Sequence, residues 1–584
     1  MTSTYSPSRA PDRTQDPRGR PPSRLRAPLT GLRRIRPLTW QRAAACLLPA
    51  LLVAYAGFQR RWMSDDGYIY LRTVRQILAG HGPVFNAGER AEASTGTLWQ
   101  WLLVLAGLPG TDPASAAVYG GLLLTAAGFL CAAAGAARLH TPGPLRQPLV
   151  PLGALLPLAL PPVWDFATSG LETGLITCWL GGSWLLLVTR PERLATCAVA
   201  GLGPLVRPDL ALVSAVFLAA QWLRVRPPRR TVLTGAACAL ALPLAYEVFR
   251  AGYYGHLVPL PAVTKEASDS LWGRGLGYLG DFAGPYLLWV PALLLAAALL
   301  PRRRPLPPVP VAALAPVVAG LVNWLYVVRV GGDFMHGRML LPGLLLLVLP
   351  VFVVPASRRT LAAAAALAVW ATCCAGWLRP AYQGRIGPAG IADERGVYAR
   401  QNASAHPVHH HFPAAPRLTS YARTVRAADR SGTPTLLLDG HRVPAAAPGV
   451  TGVHVMLGFD GATVPLSGAA LDPIGLGYPL AAHSQREGGG RVGHDKHLPA
   501  AWIAADRGAP GTVAPGVDAV RVAAARHALG CGPLPELRAA TRAPLTPARF
   551  WHNLTGSWQR TVFRFPDDPA RAERQLCGKR PMFP

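Results

Sequence analysis

Residues 194–206 read LATCAVAGLGPLV, Arg207-Pro208-Asp209 interrupts the run, and residues 210–222 continue as LALVSAVFLAAQW. Read as one kinked helix, this stretch crosses a membrane once. Read as a hairpin it crosses twice, and everything downstream changes side. The arginines decide between them. Those at 224, 226, 229, 230, 302, 303, 304, 358 and 359 share a side with Arg138, Arg146, Arg190 and Arg193 only if the stretch is a hairpin, and arginine-rich loops stay in the cytoplasm. The first arm is then about 20 Å of helix against an apolar core of about 30 Å. Short, broken pairs of this kind line polar cavities. Arg207 and Asp209 are expected to face one, because an uncompensated charge at mid-bilayer costs about 3 kcal/mol or more.

Working outward from the hairpin, apolar runs at 42–58, 115–137, 148–163, 173–189, 231–249, 285–300, 309–328, 339–355 and 360–377 complete the pattern. With the two arms they make about eleven transmembrane helices. The composition agrees: 51 % of the 584 residues are hydrophobic and 15 % charged, where soluble domains carry about 25 % charged residues. The net charge of +28 reads as arginines holding the topology, not as a nucleic-acid surface. Residues 1–41 form a basic, Pro- and Ser-rich tail expected to be disordered and cytosolic. Residues 42–377 form the mainly α bundle in the lipid bilayer. Residues 378–584 read as an extracytoplasmic mixed α/β domain, with Thr435–Leu438 strand-like and Asp518–Leu529 helical. Cys531 and Cys577 fall in that polar part and can pair if it is outside. His409, His410 and His411 read as a solvated loop in preference to a metal site.

The side opposite the arginines collects nearly all acidic residues of the bundle. Its first loop carries Asp65 and Asp66, followed by Tyr70, Val74, Ile77 and Leu78 at helical spacing, with Arg72, Arg75 and Gln76 on another face. This predicts an amphipathic helix lying at the membrane surface. Ser64, Asp65 or Asp66 can cap that helix, and the aspartate pair also suits general-base work or a divalent cation. Glu89, Glu172, Tyr253, Tyr254 and Asp333 are further candidates on the same side. Arg72, Arg207, Lys265, His336 and Arg338 offer cations fit to recognise a phosphate. The basic Arg491–His497 segment, with His494 and Lys496, reads either as a surface loop or as a contact for a polysaccharide acceptor.

An ordered set of motifs runs through these loops. It comprises Asp65-Asp66, Gly80-His81-Gly82, Val84-Phe85-Asn86, Gly88-Glu89-Arg90, Gly170-Leu171-Glu172-Thr173, Arg207-Pro208-Asp209 and Tyr253-Tyr254-Gly255 with Lys265. Gly332-Asp333-Phe334-Met335 with Arg338, Gly477-Tyr478-Pro479-Leu480 and Arg491–Pro499 follow. The set resembles the GT-C membrane glycosyltransferases of the actinobacterial terminal beta-1,2-arabinofuranosyltransferase family. The resemblance implies a GT-C-like bundle and a pentose, arabinofuranose, moved from a polyprenyl-phosphate sugar donor to a cell-envelope polysaccharide acceptor outside the membrane. Asp65 or Asp66 would take the acceptor proton. No Gly-rich nucleotide fingerprint follows a strand, which agrees with a lipid-linked donor. A β-configured donor and a β-linked product would mean net retention, leaving open a carboxylate nucleophile or a same-face route. The chain departs from the family pattern at Ala91–Gly96 and Leu257–Pro261, changes that bear on the acceptor. Two other readings remain: a transporter of lipid-linked sugars, and a non-catalytic envelope or motility assembly factor.

Overall fold

The computed structural model describes residues 40–140, 148–266, 268–300, 309–408, 416–486 and 490–578. The expectations for the N-terminal tail, for Arg146, for Arg302–Arg304 and for the histidines at 409–411 therefore lie outside the described residues.

Among the described residues, six helices are long and apolar enough to cross a membrane: Trp40–Gln59, Pro113–His140, Pro208–Val225, Arg229–Tyr253, Val311–Arg329 and Arg358–Gly376. Thr173–Thr189, Leu194–Val206, Trp289–Leu299 and Arg338–Val351 are apolar but shorter or interrupted. The expected span at 148–163 is no single helix. It opens as a strand, Leu149–Val150, paired antiparallel with Val354–Pro355. It continues as two short helices, Leu155–Ala159 and Pro161–Phe166, because Pro161 and Pro162 cannot supply the hydrogen bonds that would fuse them. One apolar helix, Thr97–Gly107, has no counterpart among the expected elements. Its run is too short to read as a crossing.

The deciding stretch breaks where its sequence does. Helices Leu194–Gly201 and Gly203–Val206 end at Arg207, whose backbone is extended, and a 3-10 turn at Pro208–Leu210 starts the Ala211–Val225 helix. Elsewhere the bundle closes on small residues. A Cβ at Gly174 would stand 2.2 Å from the Gly121 carbonyl oxygen, so helices Pro113–His140 and Thr173–Thr189 touch backbone to backbone. Such contacts replace the hydrophobic effect inside lipid.

The C-terminal half carries a four-stranded mixed sheet. Thr435–Leu438 pairs antiparallel with His441–Pro444 and parallel with Val450–Val453, which pairs parallel with Ala469–Leu471. Helices Ala519–Ala528 and Pro569–Cys577 pack beside it, joined by the Cys531–Cys577 disulfide. The described residues from Trp40 onward form one compact unit.

The helix Asp65–Leu78 forms as expected, its first turn held by Ser64, whose Oγ accepts from the Gly67 N–H at 3.0 Å. Its position differs from the surface helix expected. Arg72 and Gln76 are buried because both donate to backbone carbonyls of the C-terminal half, the Arg72 guanidinium to Gly461, Val464, Pro465 and Gly468 and the Gln76 amide to Leu466. This helix is an inner strut between the bundle and the sheet.

Candidate functional site

A cavity of about 170 Å³ opens between the Asp65–Leu78 helix, the hairpin break and the loop after Val311–Arg329; Asp66, Glu172, Arg207, Asp209, Lys265, Asp333, Arg338 and His494 are among its lining residues. Most of them reach it from the end of an element, Asp333 and His494 from loops. Asp66 lies in a first helical turn, Glu172 just before Thr173–Thr189, and Arg207 and Asp209 at the hairpin break. Polar groups gather there because helix ends leave backbone groups and space that helix interiors do not.

The charges interlock. Arg207 holds Asp209 through two contacts, of 2.5 and 2.8 Å, and lies 3.8 Å from Glu172. The Tyr70 hydroxyl donates to the other Glu172 oxygen at 2.9 Å. Arg338 bridges Asp333 at 2.7 Å and Asp66 at 3.4 Å, while Lys265 stands 3.7 Å from Asp333. The Phe334 ring forms the floor under three cations, Lys265, Arg338 and Arg491, with His494 edge-on at 4.8 Å.

Exposure separates the members of this set. The side chains of Glu172, Asp209 and Asp333 are 6, 6 and 2 % exposed, whereas that of Asp66 is 23 % exposed. Among the cations, Lys265 is 29 % exposed against 5 % for Arg207 and 9 % for Arg338. Asp66 and Lys265 are thus the most open charged groups of this set, and Arg338 lines the cavity between them. Burial pushes the Asp66 carboxyl above its ordinary range, and Arg338 and Lys265 only partly offset it. For Asp333 the balance reverses: burial is outweighed by Arg338 and Lys265, and its carboxyl is held below the ordinary range. A carboxylate whose proton affinity is raised beside two cations is suited to accept a proton from a hydroxyl.

Several expected site residues lie elsewhere. Asp65 faces away from the cavity: its oxygens accept the Gly458 and Phe459 N–H groups at 3.1 and 2.8 Å, and burial together with Asp66 raises its carboxyl to about 7. Arg72, expected at a phosphate, does not line the cavity; backbone carbonyls occupy its guanidinium. His336, expected beside it, lies elsewhere too. It sits in a separate, smaller polar chamber, its Nδ1 2.7 Å from Asp281 and its Nε2 3.1 Å from the Tyr286 hydroxyl. Lys496, expected at an acceptor, is buried against Glu266 at 2.9 Å. Glu89 is buried between Arg507 and Arg542, each at 2.7 Å. The Tyr254 hydroxyl donates to the Pro83 carbonyl, and the Tyr253 ring stacks on Phe249.

Arg491, in the segment read as a surface loop or an acceptor contact, stacks its guanidinium over Phe334 at 5.2 Å and donates to His494. One residue near the site carried no expectation. Glu394 is buried, and its Oε2 has no hydrogen-bond partner among the described residues. Burial and then the charge of Asp66 raise its carboxyl well above the ordinary range. Of the described residues, only His527, Cys531 and Cys577 cluster as metal ligands would, and the two cysteines are joined in the disulfide.

The chain is similar to known proteins along most of its length. Residues 440–575 match the model of the AftB family C-terminal domain. The chain is 37 % identical to the terminal beta-(1->2)-arabinofuranosyltransferase of Mycobacterium tuberculosis, over 91 % of this chain and 96 % of that one. It is 36 % identical to the protein of the same name from Corynebacterium glutamicum, over 87 % of this chain and 84 % of that one. No solved structure matches it.

Proposed function

The chain belongs to the terminal beta-(1->2)-arabinofuranosyltransferase family, and from that premise we propose that it moves an arabinofuranosyl group from a polyprenyl-phosphate donor to a cell-envelope glycan on the outer side of the membrane. The observation that carries this reading is the pairing of one accessible carboxylate, Asp66, with one accessible ammonium, Lys265, in a cavity whose other acids and arginines are held in more deeply buried ion pairs. An anionic phosphate entering from the bilayer meets Lys265 and the remaining N–H groups of Arg338. A sugar so held places its anomeric carbon near Asp66. The bond from that carbon to the phosphate oxygen breaks, a bond to the acceptor oxygen forms on the same face, as net retention requires, and the acceptor proton passes to the Asp66 carboxylate. Because Lys265 and Arg338 neutralise charge that grows on the leaving phosphate, they favour the transition state over the bound donor.

In this reading the N-terminus is cytoplasmic and residues 378–584 lie outside, with the broken pair Leu155–Ala159 and Pro161–Phe166 together making one of about eleven crossings. The Cys531–Cys577 disulfide fits an oxidising compartment. A reconstituted protein supplied with polyprenyl-phosphoryl arabinofuranose and a synthetic arabinan is expected to lengthen the arabinan by one residue and to leave nucleotide sugars untouched. No consumption of the lipid-linked donor, or equal use of a nucleotide sugar, contradicts the reading.

A further inference from the structure

Lys265 follows a five-residue helix, Leu260–Thr264. The next residue, Glu266, has φ +47°, a left-handed conformation that a glutamate keeps only where its surroundings enforce it. Three cations of the C-terminal half surround it. Lys496 Nζ and Arg564 Nε lie 2.9 and 3.2 Å from one carboxylate oxygen, and Arg486 lies 3.4 Å from the other. The same arginines hold the adjoining backbone: Arg486 donates to the Lys265 carbonyl at 3.0 Å and Arg564 to the Val263 carbonyl at 2.9 Å. Asp495 fixes Arg486 in turn, at 3.2 Å. Gly493 covers the lysine stem, where a Cβ would stand 2.8 Å from Lys265 Cε. The backbone on either side of Lys265 is therefore clamped, while its ammonium projects into the cavity.

We propose that Glu266, gripped by Lys496, Arg486 and Arg564, is a positioning residue that aims Lys265 at the donor phosphate, so that the C-terminal half takes part in donor binding without entering the cavity. This role rests on Lys265 being a phosphate ligand, as argued above. It also gives the 490s motif a physical meaning: Arg491 and His494 flank Phe334, Gly493 makes room for Lys265, and Asp495 and Lys496 secure the clamp. A purely structural clamp would behave differently, since its loss would lower the amount of folded protein and would not single out one substrate.

The test measures donor and acceptor kinetics of the full-length protein, with polyprenyl-phosphoryl arabinofuranose and a synthetic arabinan, alongside its melting temperature. Lys496→Met is expected to raise the donor KM about tenfold, a usual coupling for contacting charges, with the acceptor KM and kcat changed by less than about threefold. Lys496→Arg should restore most of the donor KM. In a Lys265→Met background, Lys496→Met should add nothing further. Should Lys496→Met fail to fold, Glu266→Gln is read in the same way. A lowered kcat with the donor KM unchanged, or multiplying effects of the Lys265 and Lys496 substitutions, overturns the positioning role alone. A donor KM unmoved by Lys265→Met overturns the phosphate role of Lys265, and the positioning role falls with it.

Discussion

The two faces of the Asp65–Leu78 helix do opposite work. One face buries Asp65, Arg72 and Gln76 against the backbone of residues 458–468. The other turns Asp66, Ile69 and Tyr70 toward the cavity. Successive helical residues point about 100° apart, so two neighbouring aspartates cannot share a surface. Asp65 is a structural acceptor for two N–H groups; Asp66 is the group with room for a substrate. Adjacency in the chain therefore divides the pair's roles, and the helix couples the C-terminal half to the site it flanks.

That division can be broken most forcefully at Asp66. Asp66→Asn is expected to lower transfer on the order of 10³-fold, the usual range for loss of a general base, with the melting temperature unchanged. Comparable transfer by this variant would remove Asp66 from the chemistry. On the opposite face, Arg72→Met leaves several buried carbonyls without a donor and should cost about 3 kcal/mol or more of stability, read as a lower melting temperature. Transfer per folded molecule should stay near wild type; a selective loss of donor affinity would return Arg72 to phosphate binding. Arg338→Lys keeps the charge but cannot bridge Asp333 and Asp66 at once, so a loss of about tenfold in kcat/KM for the donor is expected. Wild-type kinetics there would show that the bridge is dispensable.

The smallest effect concerns pH. The folded-state carboxyl of Asp65 titrates near 7, above the unfolded value of about 3.9. Between those values the folded protein binds more proton than the unfolded chain, so this group's contribution to stability falls as pH rises from about 4 to 7. Asp65→Asn removes the titration and should flatten the melting-temperature profile across that window. A profile of unchanged slope would mean that Asp65 does not titrate there.

Much of the bundle was legible because membranes penalise charge. Arg207 and Asp209 stood out inside an apolar run, and the structure puts both at the hairpin break beside the cavity. Asp333 and Arg338 stood out for the same reason. The run at 148–163 misled because hydrophobicity does not register what Pro161 and Pro162 do to a helix. Arg72, His336 and Lys496 were misplaced for another reason: their partners are backbone carbonyls or single acids far along the chain, and such long-range contacts leave no local pattern. Glu394 was invisible because, in a polar stretch, a buried acid looks the same as a solvated one.

The most direct test of the site is a cryo-EM map of the protein with an unreactive polyprenyl-phosphonate arabinose analogue. The phosphonate is expected within hydrogen-bonding reach of Lys265 and Arg338, with the sugar against Asp66. Density for the analogue away from this cavity, or a cavity left empty at concentrations that inhibit transfer, would contradict the account.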